Sequence, residues 1–124
     1  MKFYLLALLI PLSSPAFSED IPINPPKTSF IAKCSVSLIE SNAAFTDTTL
    51  GPLVVCGCMY QRLGDRSYEN VSEGDANKAY QLCANELSRA YDANKEQFRK
   101  ISIAALRGVD TQSVLRYLDK QMEE

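Results

Sequence analysis

Histidine is absent from this 124-residue chain, and so is tryptophan. Without histidine there is no Ser-His or Cys-His nucleophile pair, no imidazole metal ligand and none of the commonest general base. Paired carboxylates or a lysine remain as routes to catalysis, yet no grouping of residues has the specificity of a catalytic motif. No catalytic residue is assigned, and an enzyme is the less favoured expectation.

A dominant charge sign is lacking too. Thirteen Lys and Arg stand against fifteen Asp and Glu, interspersed along the chain. That argues against nucleic-acid binding, which needs a basic stripe, and against a polybasic membrane patch. Long apolar runs are missing after residue 18, so no membrane span of roughly 20 residues is expected there. Internal repeats and low-complexity tracts are likewise absent.

What is present begins at the N-terminus. Lys2 is followed by the apolar run Leu5 to Leu12 and by small residues at Ala16 and Ser18. A positive start, a short apolar core and an A-x-S site predict a secretory signal peptide over residues 1–18, cleaved after Ser18. The exported product is expected to be periplasmic, with an extracellular location as the alternative. Only in the second case does the Asn70-Val71-Ser72 glycosylation sequon matter. Residues 19–29, with Pro22, Pro25 and Pro26, predict an extended arm. The remaining residues, 30–124, suffice for one domain.

Within that domain the apolar spacing is helical. Thr28 or Ser29 is expected to cap a helix from Phe30 to about Ser41 or Ala44, with Phe30, Ile31, Cys34, Leu38 and Ile39 on one side. A short strand over Ser35 to Leu38 is the competing possibility. Pro52 suits the start of a second helix with Leu53, Cys56, Met59, Tyr60 and Leu63 on one face, stopped by Gly64. Val54, Val55 and Gly57 weaken that prediction. Ser72-Glu73-Gly74-Asp75 resembles a capping box opening a third helix, whose stripe is Ala76, Ala79, Tyr80, Cys83, Leu87, Ala90 and Tyr91. The pattern fades at Asp92-Ala93-Asn94 and resumes at Phe98, Ile101, Ala105 and Leu106, which fits either one long helix to Arg107 or two helices with a bend, ended by Gly108. Asp110 is expected to cap a last helix with Val114, Leu115, Leu118 and Met122 inward. Tyr60, Tyr68, Tyr80 and Tyr91 read as core aromatics with hydroxyls reaching the surface. The loop and cap acids Asp65, Glu69, Glu73 and Asp75 do not suggest a site.

The four cysteines carry most of the information. An even number in a small exported chain most often means structural disulfides. Cys56 and Cys58 lie two apart, about 200° around a helix, so a direct bond between them is disfavoured. Counting outward from the turns of an antiparallel arrangement sets Cys34 nearer Cys58 and Cys83 nearer Cys56. Cys34–Cys58 with Cys56–Cys83 is therefore favoured over Cys34–Cys56 with Cys58–Cys83.

The expected fold is all-α, a small single-domain bundle of three to five helices stapled by disulfides. The expected function is that of a non-enzymatic binding protein, such as an immunity-type inhibitor or a secretion accessory. Its partner would be another envelope or secreted protein, and the oligomeric state is left open. The alternative is thiol redox or copper handling by Cys56-Gly57-Cys58. Against it stand the lack of a thioredoxin-like pattern and of an adjacent cation. Zinc would need all four cysteines to converge. No metal site and no cofactor are assigned.

Overall fold

Asn24 opens the first helix. Its backbone is extended, as the residue before a proline prefers, and its Oδ1 accepts the backbone N–H of Lys27 at 3.1 Å. Pro25 and Pro26 fill the first turn, where a missing N–H costs nothing. Helix α1 thus runs Pro25–Glu40 in the computed structural model, which describes residues 22–41 and 50–122. The expected arm over 19–29 is corrected accordingly, because from residue 25 onward it is helix. Thr28 does not cap α1; its Oγ1 accepts the backbone N–H of Asp110 at 3.1 Å. The predicted signal peptide lies outside the described residues, as does the side chain of Met122.

Helix α2 spans Gly51–Arg62, α3 Glu73–Ala93, α4 Lys95–Leu106 and α5 Thr111–Met122, with a 3-10 turn at Tyr68–Asn70. Among the described residues these five helices and the turn are the only regular elements, so the fold is all-α. Ser35 to Leu38 belongs to α1 and forms no strand.

Helix α2 is the central element. Every residue from Pro52 to Tyr60 is buried, as expected of a helix that is apolar all round. Three neighbours surround it. Toward α1 it presents Cys56, Met59 and Tyr60: the Phe30 and Tyr60 rings lie 5.3 Å apart, and Cys34 Sγ lies 3.9 Å from Met59 Sδ. Toward α3 it presents Cys58 and Arg62, the latter donating to Glu86 at 2.9 Å. Toward α4 it presents Gly57, where an added Cβ would sit 2.2 Å from the Ala105 carbonyl oxygen. Only glycine allows that backbone approach. Helix α3 also packs on α4, and α5 packs on α1 from outside.

The helix ends follow local chemistry. Gly64, at φ 72°, follows α2 in the left-handed region. Ser72 Oγ accepts the N–H of Asp75 and caps α3, as expected. Asn94 closes α3 and caps α4 by accepting the N–H of Gln97, so the weak stretch at residues 92–94 separates two helices. Asp110 caps α5 by accepting the N–H of Ser113 at 3.2 Å. Of the predicted core tyrosines, Tyr91 is half exposed and is not core, whereas Tyr60 is buried and Tyr68, on the 3-10 turn, sets its partly exposed ring edge-on against the buried Phe30 at 5.8 Å.

Candidate functional site

The disulfides join Cys34 to Cys56 and Cys58 to Cys83, with Cα separations of 5.9 and 6.0 Å. The favoured pairing is therefore corrected to the other long-range arrangement. Its failure has a local cause. Helix α1 ends at Glu40, which leaves Cys34 six residues from its end and Cys56 five residues into α2. Extending α1 to Ser41 or Ala44 shifts the matching level toward Cys58. Faces then decide the rest, because the side of α2 bearing Cys56 meets α1 and the opposite side meets α3. Cys56 and Cys58 are not bonded to each other, and no cysteine is free.

Beside this spine, the start of α1 meets the end of α4. The Lys27 side chain is buried there, and its Nζ donates to the carbonyls of Arg107 at 2.9 Å and Ala104 at 3.4 Å. Gln61 Nε2 donates to the Ala104 carbonyl as well, at 3.1 Å. An α-helix leaves its last carbonyls unpaired and its C-terminus partially negative. Lys27 satisfies both needs from another helix. Burial lowers the affinity of Lys27 for its proton below the ordinary value, Asp65 opposes this and Arg107 adds to it. The adjoining cleft, of about 540 Å³, is lined by Lys27, Tyr60, Gln61, Asp65 and Arg107 among others. Burial, and then Asp65, pushes the Tyr60 hydroxyl above its ordinary pKa. Asp65 is the one carboxylate among the described residues that line the cleft. Among the described residues no group of three or more Cys, Asp or Glu is placed to hold a metal ion.

A second cleft, of about 470 Å³, lies across the end of α4 and has a mainly apolar lining that includes Ile23, Ile103, Leu106 and Val109. Ile23 is 52% exposed and Ile103 50%. Ile23 also borders the first cleft and a third between α1 and α5. The backbone N–H of Asn24 donates to the Gly108 carbonyl at 2.7 Å, which fastens this corner to the α4–α5 turn. Sequence reasoning missed both Lys27 and this exposed corner. One signal was there to find: Ile103 falls on the polar side of the α4 pattern, where an apolar residue is out of place.

No protein-family model matches the chain, and neither does any curated protein or solved structure. The reading of function rests on the geometry. No helix among the described residues is long and apolar enough to cross a membrane.

Proposed function

We propose that this chain is an exported, non-enzymatic binding protein that acts in the periplasm through protein–protein contacts, as an immunity-type inhibitor or a secretion accessory. The observation that carries the reading is the use of the cysteines. All four are consumed in tying the buried α2 to two different neighbours. They hold a scaffold together and leave no thiol for redox or copper chemistry. Bonds of this kind persist in oxidising compartments, which supports export. A rigid helical scaffold suits recognition because little conformational freedom is lost on association.

The test is in-cell crosslinking followed by mass spectrometry, with the full precursor expressed from its own signal. The expected result is a mature protein that begins at Glu19, is recovered from the periplasm, and is crosslinked reproducibly to one other envelope protein. A mature protein that stays monomeric and uncrosslinked at native abundance would overturn the reading. Recovery only from the medium would move the partner outside the cell.

A further inference from the structure

We infer that the cleft across the end of α4 is the partner-binding surface, and that it accepts an acidic segment of a partner protein with an apolar side chain between two carboxylates. This rests on the binding-protein reading above and adds the place and the chemistry. The first observation is the apolar floor. Ile103 projects half exposed from α4 between Lys100 and Arg107, with Leu106, Val109 and the half-exposed Ile23 beside it. Isolated exposed apolar residues are ordinary, but a contiguous concave group with charged flanks marks an interaction site.

The second observation is charge. Residues 95–107 contain Lys95, Arg99, Lys100 and Arg107 against the single acid Glu96, a local charge of +3 in a chain of −2. Most of this stretch is already engaged. Arg99 is paired with Glu96 at 2.8 Å, and Lys95 lies 4.0 Å over the Tyr91 ring. Lys100 and Arg107 make no ion pair among the described residues. They are the two cations that flank Ile103, one turn before it and one turn after. Arg107 lines the cleft and Lys100 stands outside its lining, one turn before Ile103 on α4. Unpaired cations on either side of Ile103 are complementary to acid–apolar–acid, and complementary charge sets partner choice.

The spacing makes the proposal specific. Lys100 lies within α4 and Arg107, seven residues on, is the extended residue that caps its C-terminus, a separation of about 10 Å along the axis. A partner helix carrying carboxylates seven residues apart, with a leucine or isoleucine between them, reproduces that distance and seats its apolar residue on Ile103. This is helix-in-groove recognition. An anionic membrane shares the charge chemistry, but the concave floor and the span of two cations fit a single protein segment better than a lipid plane.

The experiment uses the full mature protein and a fluorescent helical peptide with Glu at two positions seven apart and Leu midway. Its controls are a peptide with Lys for Glu, one with the Glu spacing changed to five, and vesicles containing phosphatidylglycerol. Saturable binding of the Glu peptide is expected, weaker at high salt. Lys100→Glu or Arg107→Glu should weaken it about tenfold, and Ile103→Asp should abolish it. The Lys100→Glu, Arg107→Glu double variant should bind the Lys peptide instead. Each side chain is exposed or lies on the exposed side of α4, so circular dichroism should be unchanged for every variant. Equal binding of both spacings, insensitivity to the three substitutions, or binding of vesicles through the same residues overturns the proposal. If the peptide fails while in-cell crosslinks map to another face, this surface is wrong and the binding-protein reading stands. If both fail, both fall.

Discussion

At the scale of single residues, the buried polar and charged side chains among the described residues, Lys27 and Ser35, separate into one satisfied and one not. Lys27 is buried with its Nζ donating to two carbonyls. Ser35 is fully buried in α1, and its Oγ has no hydrogen-bond partner among the described residues. A hydroxyl removed from water without replacement costs about 1–3 kcal/mol. Ser35→Ala is therefore expected to raise stability by roughly 1 kcal/mol, seen as a higher urea midpoint with an unchanged slope. A lower midpoint would mean that the hydroxyl does find a partner. Asp110 gives a pH prediction. Its carboxylate accepts the Ser113 hydroxyl at 2.7 Å and the Ser113 N–H, which hold its pKa below the ordinary 3.8. A lowered folded pKa gives stability that is present above the unfolded value and lost as pH falls through the folded one. Wild type should lose that contribution on acidification below 3.8. Asp110→Asn keeps a capping oxygen and should flatten that part of the acid unfolding curve. Identical curves for the two proteins would reject the assignment.

At the scale of elements, the approach of α2 to α4 leaves no room for a side chain at Gly57. Gly57 faces the Ala105 backbone, which no neighbouring rotamer change can clear. Gly57→Ala is expected to destabilise by about 1–3 kcal/mol, the usual cost of overpacking, despite alanine's better helix propensity. Gly74 makes the internal control, because it sits in the first turn of α3 with nothing within 4 Å of an added Cβ. Gly74→Ala should be neutral or slightly stabilising. If both substitutions behave alike in thermal melts, α2 and α4 are not in this contact. The same contrast shows what sequence can convey at this level. Gly57 counted against a helix by propensity, yet the helix forms because tertiary packing needs a glycine there. Ser72 as a cap and Gly108 as a stop were legible, since caps and stops are read from a few adjacent residues, whereas the weak stretch at Asn94 fitted one helix or two until the structure divided it. Pro25-Pro26 was misread as extended because the first turn tolerates prolines that the rest of a helix does not.

At the scale of the whole molecule, the two disulfides span 22 and 25 residues of sequence. Loops of nearly equal length constrain the unfolded chain almost equally, about 3 kcal/mol each in the chain-entropy account. Replacing either pair by serine, Cys34→Ser with Cys56→Ser or Cys58→Ser with Cys83→Ser, should therefore cost similar amounts, on the order of 2–5 kcal/mol. Such a loss is a large share of the stability of a domain this size. Non-reducing peptide mapping should give Cys34 with Cys56, Cys58 with Cys83 and no free thiol. Detection of a Cys56–Cys58 bond would reopen the redox alternative. Loss of one pair that leaves the midpoint unchanged would show that its bond is not structural.

The sequence by itself determined the all-helical class, most helix limits and the joining of Cys56 and Cys58 to different neighbours. These follow from periodicity, caps and the 100° step of the α-helix, all local properties. Only the tertiary structure decided which cysteine meets which, because that depends on the end of α1 and on the faces that α2 turns to α1 and α3. It alone also placed Lys27 on the carbonyls of α4 and gathered Ile23, Ile103 and Val109 at one corner. Those residues lie more than eighty positions apart at their extremes, Ile23 and Val109, and no local signal records which distant surfaces will be pressed together.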